Sequence, residues 1–227
     1  MKEMNPLSHL RRWVCLQSSV LLVVTIAGLA DPSTSPSEIK VLPGFEVSVA
    51  AASPLVDYPM MACLDDKGRL YIAESDGRNL TTREEIEKER PRFVRRLVDQ
   101  DGDGVYDTST IFAGEMTMPE GGLWHQGALY IISAPYLLRL EDLDDDGVAD
   151  KREKILGSME FDGRANQHGP YLGPNGRLYF TGGHFGYDLI GSDGSRSGVS
   201  RAAGVFSCWP DGRDVRVEGQ GGVNPVD

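Results

Sequence analysis

One short phrase occurs three times in the chain, and this repetition limits the possible folds more than any other feature. The copies are DDKGRLYIAES, WHQGALYIISA and GPNGRLYFTGG. Each copy is a turn that ends in glycine (Gly68, Gly127 or Gly176) followed by a strand that contains Leu-Tyr. A unit of about forty to sixty residues with four short strands is typical of a β-propeller blade.

A second hairpin follows each copy of the phrase, with the sequences RRLVDQDGDGVYDTSTIFAG, LLRLEDLDDDGVADKREKILG and GVFSCWPDGRDVRVEG. The sequence therefore predicts an all-β fold, a partial β-propeller of about three four-stranded blades over residues 46–115, 116–160 and 161–220. The start of a fourth blade follows. Because propellers close with four to eight blades, we expect the chain to be the N-terminal part of a longer protein, or a truncated gene product.

Two further segments carry a clear secondary-structure pattern. FEVSVAAA, residues 45–52, alternates apolar and polar residues and predicts a strand. TTREEIEKERPR, residues 81–92, has acids early and bases late, which predicts a helix that Pro91 ends. We interpret this helix as an insertion between the strands of the first blade.

The first thirty residues have the pattern of a secretory signal. Lys2, Arg11 and Arg12 precede an apolar core, residues 20–30, that is shorter than the ~20 residues of a membrane span. We predict a signal peptide at 1–30, a Pro/Ser-rich linker at 31–42 and the propeller at 43–227. The chain would then be exported to the periplasm or the exterior. An uncleaved anchor, which would attach the chain to a membrane, stays open as the alternative.

Charge and cysteine content narrow the possible functions. The formal net charge of −11 argues against sequence-independent binding of nucleic acid. Beyond the predicted signal only Cys63 and Cys208 remain, far apart in sequence, and we predict two free thiols. The chain contains no CxxC or CxxCH motif.

Two aspartate-rich segments have the spacing of calcium-binding loops. In DQDGDGVYD, carboxylates occupy positions 1, 3, 5 and 9, and a glycine at position 6 allows the sharp turn; DLDDDGVAD repeats the pattern. The backbone carbonyl at position 7 completes such a shell. The predicted ligands are Asp99, Asp101, Asp103, Val105 and Asp107 in the first segment, and Asp142, Asp144, Asp146, Val148, Asp150 and Glu153 in the second.

Strand-like residues flank both segments, so we predict calcium-binding hairpin loops rather than helix–loop–helix sites. Glu153 falls at position 12 of the second loop, where a bidentate ligand would sit. Thr110 occupies position 12 of the first loop, so the calcium shell of that loop needs another donor or a water molecule. The alternative that stays open is a pair of solvated acidic turns.

Two histidines are candidates for chemistry. His168 precedes the first strand of the predicted third blade, and His184 follows the next strand. Loops at that end of a blade face the central funnel of a propeller, where a neutral imidazole can act as a general base. A structural or solvent-facing role for His168 remains the alternative. We interpret His125, in the turn WHQG, as a surface residue.

The segment RANQHGPYLGPNGRLYFTGGHFG resembles the part of soluble quinoprotein glucose and sorbosone dehydrogenases that bears the catalytic histidine. The order of GFEVSVAAASPLVDYPMMACLDDKGRLYIAE, LVDQDGDGVYDTSTIFA and LEDLDDDGVADKREKIL is similar to the N-terminal propeller of large exported proteins of the planctomycete type. Those proteins are described as membrane-bound dehydrogenases or haem-binding CxxCH proteins. The resemblance covers roughly residues 43 to 227.

This resemblance implies a function. His168 would remove a hydroxyl proton from a sugar or alcohol substrate while pyrroloquinoline quinone accepts hydride from the same carbon. His184 stands where the dehydrogenases have a funnel-facing acidic residue and is the candidate cofactor contact. A haem module would follow in a full-length protein. We therefore expect an exported calcium-binding propeller of dehydrogenase type; the alternative is a non-catalytic propeller that binds glycan or protein at the cell envelope.

Overall fold

The computed structural model describes residues 39–162 and 167–221. They fall in two compact units, Met1–Val47 and Ser48–Asp227. The predicted signal peptide and residues 31–38 of the predicted linker lie outside the described residues. The described part of the first unit contains a turn closed by a 3.1 Å hydrogen bond from the Phe45 N–H to the Leu42 carbonyl. No helix among the described residues has the length and apolar character needed to cross a membrane.

Within the described residues, the second unit is all-β apart from one short helix. Its helix α1 is Arg83–Glu89, and its strands are β1 Pro59–Leu64, β2 Leu70–Ser75, β3 Arg92–Val98, β4 Thr108–Met116, β5 Pro119–His125, β6 Ala128–Ser133, β7 Tyr136–Glu141, β8 Lys151–Met159, β9 Gln167–Leu172, β10 Leu178–Gly182, β11 Tyr187–Ile190, β12 Gly204–Cys208 and β13 Arg216–Gln220. Every strand pairing is antiparallel.

The strands form three sheets in chain order. The first sheet is β1-β2-β3-β4, the second is β5-β6-β7-β8 with β11 beside β8, and the third is β9-β10-β12-β13. The opening strands of the sheets are neighbours, because β5 contacts both β1 and β9. This is the arrangement of successive blades whose inner strands surround a common axis. The prediction of a partial propeller with three blades is confirmed.

The second blade differs from the prediction in one detail, its fifth strand. Strand β11 pairs with β8, with Tyr187 opposite Met159 and Ile190 opposite Gly157. It comes from the range predicted for the third blade. A pairing between segments so far apart leaves no local pattern in the sequence.

The repeated phrase builds the same element in each sheet. Gly68, Gly127 and Gly176 have φ values of 78°, 78° and 80°, so the three turns are alike. Each turn leads into the second strand of its sheet, β2, β6 or β10. These strands are mostly buried, and every residue of β6 is buried. The phrase therefore recurs because each copy supplies a central strand enclosed by neighbouring sheets.

Aromatic side chains fill the spaces between neighbouring sheets. Tyr71 contacts Phe112 edge-on, with ring centres 4.9 Å apart, and stacks on Trp124 of the second sheet at 5.2 Å. Between the second and third sheets, Phe206 lies 4.4 Å from Tyr187. Full burial of such a side chain stabilises the fold by about 1.5–3 kcal/mol. These contacts fix the sheets relative to one another.

Helix α1 forms where the sequence predicted a helix, and its ends have clear physical causes. Thr82 and Glu85 form a capping box at its N-terminus, and Arg90 caps its C-terminus in the left-handed conformation. Ile86 is fully buried and packs in a cluster with Met118 of the segment before β5. The helix is therefore an insertion between β2 and β3 that docks on the scaffold.

The strand predicted for FEVSVAAA is wrong, whereas the predicted free thiols are confirmed. Residues 45–52 form no strand, because none of the described strands pairs with them; the Ala50 carbonyl accepts one hydrogen bond, from the Tyr106 N–H at 2.8 Å. Cys63 and Cys208 are both free. Burial raises the pKa of each thiol to about 12.

Candidate metal centre

Two acidic loops occupy equivalent positions in successive sheets. The first acidic loop, Asp99–Asp107, joins β3 to β4, and the second acidic loop, Asp142–Asp150, joins β7 to β8. Each therefore connects the third and fourth strands of its sheet. Both loops lie between strands, as the flanking residues predicted, and neither is part of a helix.

The same backbone hydrogen bonds hold both loops. Positions are counted from the first aspartate of each loop. The N–H at position 6 donates to the carboxylate at position 1. The N–H at position 2 donates to the carboxylate at position 9, and the N–H at position 7 donates to the carboxylate at position 5. The pairs are Gly104–Asp99 at 2.9 Å, Gln100–Asp107 at 2.6 Å and Val105–Asp103 at 2.8 Å in the first loop, and Gly147–Asp142 at 2.9 Å, Leu143–Asp150 at 2.7 Å and Val148–Asp146 at 2.8 Å in the second.

Three carboxylates converge in each loop. Each contributes one oxygen, and within a loop these oxygens lie within 4.8 Å of one another. The groups are Asp99, Asp101 and Asp107 in the first loop, and Asp142, Asp144 and Asp146 in the second. Such a set of hard oxygen donors suits calcium. Two predicted ligands, Asp103 and Asp150, are not in these groups, and each accepts a backbone N–H instead.

The remaining predicted ligands have other surroundings. Val105 and Val148 are exposed loop residues. Glu153 lies beyond the loop in β8, where its carboxylate is 3.5 Å from the Lys151 ammonium and 3.9 Å from the Arg139 guanidinium. Glu153 therefore pairs with cations and is not in the carboxylate group of the second loop.

Cations from the first sheet hold the second acidic loop. The Arg96 Nη1 lies 3.0 Å from Asp142 Oδ2, and the Asp142 side chain is only 4% exposed. Lys67 and Arg69 both bind Asp145, and these hydrogen bonds lower the pKa of Asp145 to about 2. A β-carbon on Gly147 would lie only 2.7 Å from Arg96 Cζ, so the guanidinium lies directly against the loop.

One oxygen of this loop lacks a partner. Asp142 Oδ1 is buried and accepts no hydrogen bond from the described residues. A buried acceptor left unsatisfied costs about 1–3 kcal/mol, and more when it is charged. Because Asp142 belongs to the group of three converging carboxylates, a metal ion is a suitable partner for this oxygen.

The first acidic loop has no comparable cation. Among residues 39–162 and 167–221, no Lys or Arg lies within 4.0 Å of its four carboxylates. Hydrogen bonds from backbone N–H groups lower the pKa of Asp99, and the one from Gly104 has the largest effect. Apart from Gly104 and its two chain neighbours, a β-carbon on Gly104 would have no described atom within 4 Å, so the space beside this glycine is open. The same sequence pattern thus lies in an exposed site in one blade and in a partly enclosed site in the next.

The two candidate histidines lie at one end of the third sheet. His168 is partly buried in β9, and its backbone N–H donates to the Thr181 hydroxyl at 3.1 Å. His184 is exposed in the segment between β10 and β11, with its ring centre 4.3 Å from that of Phe185. Neither histidine lines the clefts of about 600 Å³ and about 300 Å³ found among the described residues. Their catalytic and cofactor-binding roles stay predictions.

Two residues that the sequence did not favour as functional candidates lie in notable surroundings. His125, interpreted as a surface residue, lines a cleft of about 600 Å³ between the second and third sheets. Glu120 lies on β5, the inner strand of the second sheet, and burial raises its pKa to about 7, opposed by the charge of Arg92. The sequence pattern that could have indicated Glu120 is an acid within PEGG, a segment of an inner strand.

Glu120 should make the stability of the fold depend on pH. Its pKa is about 7 in the folded chain and near 4.5 in the unfolded chain, so the folded state keeps a proton that the unfolded state loses between these values. Stability therefore falls as pH rises from about 4.5 to 7. We expect Glu120→Gln to raise the free energy of unfolding at pH 8 by on the order of 2 kcal/mol, with little change at pH 4.

Urea unfolding of wild type and variant at the two pH values measures this effect. Glu84→Gln is the matched control, because Glu84 is an exposed acid on α1. An equal effect of Glu120→Gln at pH 4 and pH 8 would contradict the assignment.

Comparison with known proteins gives a family for this chain. A family model described as Domain of unknown function (DUF7133) matches residues 31–224. No curated protein matches the chain. The match spans all three sheets and both acidic loops. The chain therefore belongs to the DUF7133 family.

Proposed function

We propose that this chain is an exported, calcium-binding β-propeller domain in which each acidic loop binds one calcium ion. The observation that carries the proposal is the buried, unpartnered Oδ1 of Asp142 beside two further converging carboxylates. Desolvating a carboxylate without a partner for each oxygen is costly, and a divalent cation removes that cost. The three backbone hydrogen bonds that the loops share, and the converging carboxylates of the first loop, extend the proposal to Asp99, Asp101 and Asp107.

The role of the two ions would be structural. Each acidic loop connects the third and fourth strands of its sheet, so an ion there ties that hairpin together. The ion also offsets the mutual repulsion of the clustered carboxylates. The second ion would add to the attachment that Arg96 already provides between neighbouring sheets.

The proposal extends to a dehydrogenase of the quinoprotein type, with His168 as the general base and His184 beside the cofactor. Its support is the sequence resemblance of the segment around His168, which lies on the inner strand β9. Pyrroloquinoline quinone would supply the hydride acceptor for a sugar or alcohol substrate. A haem module further along a longer protein would accept the electrons.

A second candidate function is the binding of a glycan without catalysis. The cleft of about 600 Å³ between the second and third sheets supports it. Its lining combines aromatic surfaces, Tyr130 and Trp209, with charged side chains such as Arg139 and Asp211. Aromatic faces and fixed polar groups together suit the apolar faces and hydroxyl groups of a sugar. Saturable quinone binding by the chain would favour the dehydrogenase, and sugar binding without quinone binding would favour the second function.

Calorimetric titration with calcium tests the main proposal. We expect about two calcium ions per chain, and weaker binding at both sites in the double variant Asp101→Ala, Asp144→Ala, because each substitution removes one of three converging carboxylates. The matched control is Asp57→Ala, Glu84→Ala, which removes the same charge from exposed positions outside the loops. Unchanged heats in the loop variant, or an equal loss in the control, would contradict the site assignment.

A further inference from the structure

Most cationic side chains of this acidic chain are paired with carboxylates. The formal net charge is −11. Among the described residues from Ser48 onward, the Lys and Arg side chains with no carboxylate within 4.0 Å are Arg90, Arg92, Arg152, Lys154 and Arg201. Unpaired cations are therefore the exception here, and their positions are informative.

Three of the five line a single cleft. Arg90, Arg152 and Lys154 surround a space of about 300 Å³ between the end of α1, the end of β4 and strands β7 and β8. Arg92 lies behind its wall, because its Nη1 donates to the carbonyl of Thr117, a lining residue, at 2.7 Å. The Arg92 Nε is buried and has no hydrogen-bond partner among the described residues.

Contacts other than carboxylates hold these cations in place. Arg152 donates to the Gly114 carbonyl at 2.7 Å, and Arg90 donates to the Glu87 carbonyl at 3.3 Å. The Lys154 ammonium lies 4.1 Å from the centre of the Tyr136 ring. The side chains are thus positioned although no described carboxylate lies within 4.0 Å of their charged groups.

The charge balance of the cleft is positive. Glu87 and Glu115 also line it, and Glu87 already pairs with Arg83 at 2.8 Å. Burial lowers the pKa of Arg152, and the attraction of Glu115 opposes this shift more than the repulsion from Arg90 adds to it. Four cationic side chains and two carboxylates line the cleft, so its local potential is positive, and this potential attracts anions despite the negative charge of the chain.

We propose that this cleft binds a small ligand through an oxyanion group, a sulfate or a carboxylate, with Arg90, Arg152 and Lys154 as the donors. Guanidinium and ammonium groups make charge-assisted hydrogen bonds to such oxygens. The volume of the cleft suits a compact ligand or one acidic substituent of a larger one. The site shares no residue with the acidic loops, so it does not depend on the calcium proposal.

Titration with sodium sulfate and with sodium D-glucuronate, each at constant ionic strength against sodium chloride, tests the proposal. We expect a saturable rise in melting temperature with at least one of the two anions. In the double variant Arg90→Gln, Lys154→Gln, we expect binding to be weaker by about tenfold or more. The anion that binds tells whether the cleft prefers tetrahedral sulfate or planar carboxylate.

Two controls make the result specific. Arg201→Gln removes an unpaired arginine that does not line the cleft, and it should leave binding unchanged. The variant Arg90→Lys keeps the positive charge and should bind at least one of the two anions, whether or not the double variant folds. The proposal is overturned if wild type shows no saturable response to either anion, if the double variant binds as wild type does, or if Arg201→Gln weakens binding equally.

Discussion

Asp142→Ala is expected to lower the free energy of unfolding by about 3 kcal/mol in calcium-free buffer, which corresponds to a fall in melting temperature of about 10 °C. The Asp142 carboxylate is almost fully enclosed and lies 3.0 Å from the Arg96 guanidinium. Arg96 is itself buried, and without Asp142 its nearest carboxylate is that of Asp145 at 3.4 Å. The cost arises because a buried cation loses its main partner.

Asp99→Ala provides the matched control for this prediction. Asp99 is at the same position of the first acidic loop and accepts the same backbone N–H, but it has no cation partner among the described residues. We expect Asp99→Ala to lower the free energy of unfolding by clearly less than Asp142→Ala does in calcium-free buffer. Thermal unfolding in the presence of a chelator measures both variants. Equal losses would show that the Arg96 contact does not stabilise the second loop.

Gly121→Ala should be the more damaging of two glycine substitutions in the second sheet, with a loss of about 4 kcal/mol or more. Gly121 has a φ of 75°, and a β-carbon on it would overlap the backbone of Gly169, lying 2.7 Å from its carbonyl carbon. The two residues are on the inner strands β5 and β9. The added methyl group would therefore have to push the second and third sheets apart at the axis.

Gly127→Ala separates backbone strain from this clash. Gly127 has nearly the same φ, 78°, but nothing lies within 4 Å of a β-carbon there. Its substitution should lower the free energy of unfolding by only about 1–2 kcal/mol, because alanine is disfavoured in the left-handed conformation. Denaturant unfolding of both variants measures the difference between their free energies of unfolding. A loss at Gly121 no larger than at Gly127 would mean that β5 and β9 are not in close contact.

The contacts of the second acidic loop suggest how neighbouring blades stay aligned. Lys67 and Arg69 lie in and just after the turn between β1 and β2, and Arg96 lies on β3, yet all three bind Asp145 of the second sheet. Together with the aromatic contacts between sheets, these ion pairs link the first blade to the second. Calcium in the second loop would strengthen a junction that already exists.

Much of the fold could be predicted because its determinants are local. Gly68, Gly127 and Gly176 each open a strand within a few residues, so the phrase that repeats in the sequence becomes a repeated strand in the structure. The helix could be predicted for the same reason, since Thr82 and Glu85 cap it from adjacent positions. Strand β11 could not, because its partner β8 is distant in sequence.

The sequence by itself determined the shape of the two acidic loops, because the hydrogen bonds that define each loop lie within nine residues. Only the tertiary structure decided that Arg96 pairs with Asp142 while no described cation pairs with Asp99, and that Arg90, Arg152 and Lys154 meet at one cleft. The physical reason is that burial and ion pairing depend on which sheets pack together. Residues tens of positions apart become neighbours only when the blades assemble.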